Sequence, residues 1–163
     1  MTDSAIEYAR QVGAALQQRQ WTIATAESCT GGLLGHLLTE IAGSSAYYQG
    51  GVIAYSNEVK QSHLGVPAAI LASEGAVSEA TARAMAQGVR ERIGTTVGVS
   101  TTGIAGPGGG TATKPVGLVY MCVATPETML CRRYVFEGDR QQNKQYTALR
   151  ALELILAALD QDI

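Results

Sequence analysis

The sequence predicts an α/β fold, in which a three-layer α/β/α sandwich surrounds a mixed sheet of about five strands. Three observations lead to this prediction. β-Rich runs alternate with amphipathic helical patterns as far as Gly103, the order typical of a sheet covered by helices on both faces. Two further β-rich runs, residues 116–124 and 129–136, are separated by four residues, which predicts that the last two strands form an antiparallel hairpin. A long amphipathic pattern closes the chain and predicts a last helix packed on the sheet.

Each element has a local signal. Helices are predicted where apolar residues recur at steps of three and four, and strands where short β-rich runs lie between glycines and polar residues. Ser78 is the expected N-cap of the helix that follows it, because a serine side chain can accept a hydrogen bond from the first turn. In chain order we expect a helix at 4–18, a strand at 21–27, a helix at 33–41, a strand at 47–56, helical turns at 57–65 and after Pro67, a helix at 79–93, a strand at 96–103, the hairpin, and a helix at 139–159.

Composition restricts the class of protein. The chain is expected to form a single domain, residues 1–163. A net charge of −2 and a pI near 5.7, without a basic stripe, argue against nucleic-acid binding, whereas a single phosphate needs only one or two cations. The sequence shows no signal peptide and no apolar run approaching the ~20 residues of a membrane span. We therefore expect no membrane partner and a cytoplasmic location.

The cysteines predict no cross-link. Cys29, Cys122 and Cys131 are odd in number and form no C-x-x-C pair, which predicts neither a disulfide framework nor a zinc site and fits a reducing cytosol. Cys122 is expected to be a small buried apolar residue of the hairpin.

The segment "TAESCTGG", residues 25–32, places hydroxyl and thiol side chains at a predicted strand-to-helix turn. Such a turn can expose a nucleophile beside free backbone N–H groups, and Gly31 and Gly32 would let a substrate approach closely. The alternative is that Ser28 or Thr30 only caps the helix. Cys29 is the better nucleophile in principle, but neither histidine of the chain forms a Cys-His signature with it.

A serine nucleophile needs a base, and "AYSNEVK" offers Tyr55 and Lys60 after the second strand. A lysine with the ordinary pKa of ~10.4 is neutral in fewer than ~1 in 1,000 molecules at pH 7. Lys60 could therefore act as the base only if burial lowered its pKa. The alternative is an ordinary solvated lysine on a short helix.

Two further features suggest ligand binding. "STTGIAGPGGGTATKP" could hold a phosphate through backbone amides and the hydroxyl of Thr101 or Thr102, or be a flexible surface loop; it fits neither the P-loop nor the G-x-G-x-x-G pattern. Arg140 begins the last predicted helix, where a cation is poorly placed for the helix dipole. Either a ligand or a salt bridge to a carboxylate would explain it.

Six motifs, in order, connect the sequence to a known family: "TAESCTGG", "GGVIAYSNEVK", "GAVSE", "TTGIAGPGGG", "KPVG" and "GDR". Together they resemble the nicotinamide-nucleotide amidase family, also called the CinA C-terminal domain family, over nearly the whole chain. The resemblance implies hydrolysis of nicotinamide mononucleotide to nicotinate mononucleotide and ammonia, a step of pyridine-nucleotide salvage. It also implies that no metal or other cofactor is needed and that the chain forms a homo-oligomer, with a dimer favoured.

The resemblance also assigns roles to residues. Ser28 would be the nucleophile, Lys60 the general base, and Tyr55 a residue that orients them or relays protons. The expected substrate-binding residues are the turn that would hold the oxyanion, the end of the third strand, and an arginine for the nucleotide: Cys29, Thr30, Gly31, Gly32, Thr102, Gly103 and Arg140.

The sequence departs from the family pattern in two ways. Many relatives have an acidic residue where this chain has Gly108, so any contact of that carboxylate is lost. Fused relatives carry a nucleotide-pyrophosphatase-like domain that these residues do not contain, so no pyrophosphatase activity is expected of them. Two alternatives stay open: a non-catalytic paralogue that acts as a nucleotide-sensing or competence-related and damage-related module, and a cysteine amidase that uses Cys29.

Overall fold

The computed structural model describes residues 2–161 and contains six α-helices and five strands within that range. A single 3-10 turn at Ser44–Ala46 precedes the second strand. In chain order the elements are α1 (Asp3–Arg19), β1 (Ile23–Glu27), α2 (Leu33–Thr39), β2 (Tyr48–Ile53), α3 (Asn57–Leu64), α4 (Ala68–Ser73), α5 (Glu79–Ile93), β3 (Val97–Gly103), β4 (Leu118–Ala124), β5 (Met129–Val135) and α6 (Arg140–Gln161).

The strands form one mixed sheet in the order β2-β1-β3-β4-β5. β1 pairs in parallel with both β2 and β3, whereas β3–β4 and β4–β5 are antiparallel. β1 and β3 lie inside the sheet and are almost entirely buried, as expected for strands covered on both faces. The predicted five-stranded mixed sheet and its final hairpin are confirmed.

Helices cover both faces of the sheet. On one face α1, α2 and α6 pack around a large apolar cluster that includes Leu16, Leu38, Leu152 and Met121. On the other face α5, with α3 and α4 beside it, packs on the small side chains of the central strands. The predicted three-layer α/β/α sandwich is therefore confirmed.

Local signals explain where the helices begin. Ser78 accepts a hydrogen bond from the Thr81 N–H at 3.1 Å, which confirms it as the N-cap of α5. Ser56 does the same for α3 through Val59 N, also at 3.1 Å. Pro67 precedes α4 as its N-cap rather than its first residue. None of the described helices is long and apolar enough to cross a bilayer.

The expectation about the cysteines is wrong for two of them. Cys122 and Cys131 face each other in the β4–β5 register with their Cα atoms 4.1 Å apart, and they form a disulfide. Their spacing in the sequence gave no such signal, because only the strand register brings residues nine positions apart into direct opposition. A reducing compartment therefore no longer follows from the cysteine count.

The parallel strands bring three loops to one edge of the sheet. β1, β2 and β3 all end there, and the N-terminus of α6 reaches the same edge, since Arg140 donates to Gly106 O after β3 at 2.7 Å. Ligands of open α/β sheets collect at this carboxyl edge. Residues from four distant parts of the sequence therefore meet there.

Candidate active site

The turn after β1 is held on both sides by the neighbouring strands. Ser28 N donates to Thr101 O at 2.9 Å, and Ala54 N donates to Glu27 O at 2.8 Å, so the β-ladder continues past the end of β1. The Ser28 carbonyl then accepts from Gly31 N at 3.1 Å. These contacts fix the backbone of Ser28 in a tight turn. The residue as a whole is 7 % exposed.

The buried carboxylate of Glu27 serves the start of α2. Its oxygens accept from Leu34 N at 2.8 Å, Gly35 N at 3.0 Å and the Thr30 hydroxyl at 2.7 Å. Negative charge is favourable at this end of a helix, where backbone N–H groups have no helical partner. The alternative that Ser28 or Thr30 caps α2 is therefore wrong. Sequence reasoning missed Glu27, although an acidic residue just before the turn was a possible signal.

Lys60 reaches Ser28. It lies in the first half of α3, is 1 % exposed, and its Nζ lies 3.0 Å from Ser28 Oγ. The same nitrogen donates to Ala54 O at 2.8 Å and to Tyr55 O at 3.1 Å. The alternative of a solvated surface lysine is wrong, because the short α3 helix turns this side chain back over the end of β2.

The surroundings of Lys60 favour the neutral amine. Burial lowers the pKa of Lys60 below its ordinary 10.5, and a smaller opposing effect comes from Cys29. No carboxylate forms an ion pair with it within residues 2–161. A neutral amine has two N–H groups, which match the two carbonyls, and one lone pair, which can accept the Ser28 proton. This arrangement suits a general base.

Unused backbone donors lie beside Ser28. Within the described range, the N–H groups of Cys29, Thr30 and Gly32 donate to no protein acceptor outside their own residue. The chain can turn here because Gly31 and Gly32 adopt φ values of 59° and 105°, which side chains rarely permit. N–H groups left free at a helix start are suited to bind a developing oxyanion.

Comparison with known proteins identifies the family. The model of the CinA C-terminal domain matches residues 5–159. The chain belongs to the CinA C-terminal domain family. A CinA-like protein of Salinibacter ruber is 56 % identical over 142 residues, which cover 87 % of this chain and 34 % of the relative. A putative competence-damage inducible protein of Moorella thermoacetica is 50 % identical over 147 residues, covering 90 % of this chain and 36 % of that protein.

Solved structures agree with this assignment. The competence/damage inducible protein CihA from Agrobacterium tumefaciens superposes with a TM-score of 0.95 at 40 % identity, covering 98 % of both chains. A CinA superfamily protein of Escherichia coli superposes with a TM-score of 0.90 at 30 % identity, covering 96 % of this chain and 92 % of that one. The chain spans only about a third of the length of the curated relatives that it matches, with 34 % and 36 % covered in the two cases above.

In this CinA C-terminal domain, Tyr55 and Arg140 meet above the site. Arg140 donates to the Tyr55 hydroxyl at 3.0 Å and to Gly106 O at 2.7 Å. Tyr55 is 61 % exposed, so its ring faces solvent while its carbonyl holds Lys60. Arg140 pairs with no carboxylate in the described part of the chain, and the salt-bridge explanation for it is wrong.

Cys29 of the CinA domain is poorly suited to be a nucleophile. Burial is the main cause that raises the pKa of its thiol to about 12, and the nearby Glu27 charge acts in the same direction. A thiol attacks as the thiolate, which is scarce at neutral pH with such a pKa. The described residues also place no histidine in hydrogen-bond contact with it.

Residues at the end of β3 form hydrogen bonds within the protein beside the site. Thr102, 1 % exposed, donates to Ala76 O at 2.8 Å, and Thr101 Oγ1 lies 2.7 Å from Thr30 Oγ1. Gly103 leaves room for β4, since a Cβ there would lie 2.6 Å from Val119. Both threonine hydroxyls are thus engaged within the protein. Across residues 2–161, no three His, Cys, Asp or Glu side chains are grouped closely enough to hold a metal ion.

Proposed function

We propose that this CinA C-terminal domain is a Ser/Lys amidohydrolase that converts nicotinamide mononucleotide and water into nicotinate mononucleotide and ammonia. The observation that carries the proposal is the 3.0 Å contact between Lys60 Nζ and Ser28 Oγ in a buried setting that lowers the pKa of the amine. The choice of nicotinamide mononucleotide as the substrate rests on the family resemblance. Free backbone donors beside Ser28 support an acyl-transfer reaction such as amide hydrolysis, because its tetrahedral intermediate carries an oxyanion.

In the proposed mechanism, neutral Lys60 removes the Ser28 hydroxyl proton as Oγ bonds to the carboxamide carbon. The oxyanion receives hydrogen bonds from the free N–H groups of the turn. The Lys60 ammonium then protonates the amide nitrogen, the C–N bond breaks, and ammonia leaves a nicotinoyl ester on Ser28. Lys60, neutral again, takes a proton from water, whose oxygen attacks the ester, and returns a proton to Ser28 Oγ as the acid departs.

Tyr55 has a positioning role in this proposal. Its carbonyl helps to orient the Lys60 amine at 3.1 Å, and its hydroxyl fixes Arg140 at 3.0 Å. Arg140 then helps to hold the nucleotide. Because remote groups of the substrate position its reacting end, we expect weak action on free nicotinamide. A homo-oligomer, with a dimer favoured, stays a prediction.

Ammonia release from nicotinamide mononucleotide tests the proposal. The wild type should release ammonia, Ser28→Ala should lose at least about 1,000-fold in kcat, and Cys29→Ala should retain activity. Ser62→Ala is the matched control, because Ser62 is an exposed serine whose hydroxyl contacts only His63. No ammonia from the wild type would favour the non-catalytic module. Loss in Cys29→Ala with retention in Ser28→Ala would favour the cysteine amidase.

A further inference from the structure

Lys144 is a cation without a partner at the edge of the site. It lies on α6, one turn after Arg140, and is partly buried. Within residues 2–161 it donates to no acceptor and forms no ion pair. Its Nζ lies 3.7 Å from the point that a Cβ on Gly31 would occupy. Lys144 therefore faces the turn that carries Ser28, yet neither the motifs nor the mechanism above uses it.

Arg140 supplies a second positive charge on the same side of α6. Its two hydrogen bonds, to Gly106 O and the Tyr55 hydroxyl, engage two of five N–H donors and leave three free. Like charges four residues apart on a helix repel each other. No acidic side chain in the described chain pairs with either cation, so a bound anion would relieve this repulsion.

A cavity of about 400 Å³ opens beside the two cations. It lies between the first residue of α2 and the first turns of α6, and no Asp or Glu lines it. Its lining residues are Leu33, Arg140, Gln141, Lys144 and Gln145. This volume lies in the range of small-molecule sites, and the lining is cationic and amide-bearing, which suits an anionic ligand group.

We propose that Lys144 and Arg140 together bind the phosphate monoester of the substrate, and that Lys144 sets the preference for a nucleotide over its dephosphorylated nucleoside. The proposal rests on the proposed amidase function for the identity of the substrate. A phosphate monoester carries about two negative charges at neutral pH, which matches two cations. The guanidinium provides directed donors and the ammonium a compact charge.

The position of Lys144 separates binding from chemistry. Lys144 approaches the turn at Gly31, three residues after Ser28, so a phosphate at Lys144 would be held beside a part of the turn that does not carry the nucleophile. Anchoring at a distance contributes to substrate binding without changing the reacting groups. Loss of Lys144 should therefore raise KM for the nucleotide rather than lower kcat.

Steady-state kinetics with two substrates test this assignment. For nicotinamide mononucleotide, Lys144→Gln should raise KM about 10-fold, the lower end expected for one charge-assisted hydrogen bond, with kcat within about 2-fold. For nicotinamide riboside, kcat/KM should not change. Lys144→Arg should restore most of the nucleotide KM. Arg10→Gln, which removes an exposed positive charge on α1, is the control and should leave both substrates unaffected. An equal loss for nucleotide and nucleoside, or a loss confined to kcat, would overturn the phosphate assignment.

A binding measurement separates this proposal from the amidase function. Ribose 5-phosphate is titrated by calorimetry into the full chain and into Lys144→Gln, with ribose as the uncharged control. Binding that weakens about 10-fold in the variant supports the phosphate subsite even if the wild type releases no ammonia. Equal affinity for both proteins, or no measurable binding to the wild type, contradicts the subsite whatever the amidase assay shows.

Discussion

At the scale of single residues, Glu27 explains why Ser28 is available for chemistry. The N–H groups at the start of α2 need acceptors, and the Glu27 carboxylate accepts from Leu34 N and Gly35 N at 2.8 and 3.0 Å. Ser28 Oγ is thereby left free to contact Lys60. A carboxylate in this place also fixes the turn, because Thr30 Oγ1 donates to it at 2.7 Å.

Glu27→Gln tests that role through stability. One amide oxygen can still accept hydrogen bonds, but the amide NH₂ would face a backbone N–H and leave it unsatisfied. We expect a loss of about 1–3 kcal/mol in the free energy of unfolding, measured by urea denaturation. Glu40→Gln, an exposed change just after the same helix, is the control and should have little effect. A Glu27→Gln protein as stable as the wild type would contradict the capping role.

At the scale of elements, close packing between α1 and the sheet face depends on a tyrosine with an unusual hydroxyl. Tyr47, 1 % exposed, precedes β2, and its ring occupies the space where a Cβ on Gly13 of α1 would lie. The Tyr47 hydroxyl is the one buried side-chain polar atom without a hydrogen-bond partner in the described residues. A buried polar atom in that state lowers stability.

Tyr47→Phe removes this atom and keeps the ring. We expect the free energy of unfolding to rise, by up to about 1–3 kcal/mol, with a higher midpoint in thermal unfolding. Tyr8→Phe, at a partly buried ring of the same cluster, serves as the comparison and should change stability less. A clear loss of stability in Tyr47→Phe would show that the hydroxyl contributes a favourable interaction.

The sequence predicted elements better than contacts between them. The apolar spacing of α1 and α5 and the Ser78 cap were enough to place those helices within a few residues. β3 and the hairpin also followed from local composition. The sequence did not predict the Glu27 cap or the Cys122–Cys131 disulfide. Both depend on how elements meet, through a turn in one case and the strand register in the other.

At the scale of the whole molecule, the site exists only because the parallel strands end together. Ser28 and Lys60 are 32 positions apart, and Tyr55 and Arg140 are 85 apart. Each motif could be recognised in the sequence. The distance between Ser28 and Lys60 and the burial of Lys60 could not be predicted from it. Lys144 could not be predicted as a binding residue, because no local pattern distinguishes it from a surface lysine on an amphipathic helix. Burying the Lys60 amine has a consequence for the stability of the whole fold.

The pH dependence of stability reports this burial. The pKa of Lys60 in the folded chain lies below the 10.5 of an ordinary lysine. Between those two values the unfolded chain holds a proton that the folded chain has released, so the free energy of unfolding rises with pH. Relative to Lys60→Met, the wild type should therefore gain stability as the pH rises through this window. A difference between the two proteins that stays constant or falls with pH would contradict a lowered pKa.

The proposed chemistry requires Lys60 to be an unusually acidic ammonium beside Ser28, and NMR titration of its amine measures this property. The chain has only three lysines, Lys60, Lys114 and Lys144, so labelled lysine side chains give few signals, and Lys60→Met identifies the relevant one. We predict that the Lys60 signal titrates below 10.5, the ordinary value for a lysine. A Lys60 amine that titrates at or above the ordinary lysine value would contradict the proposed base.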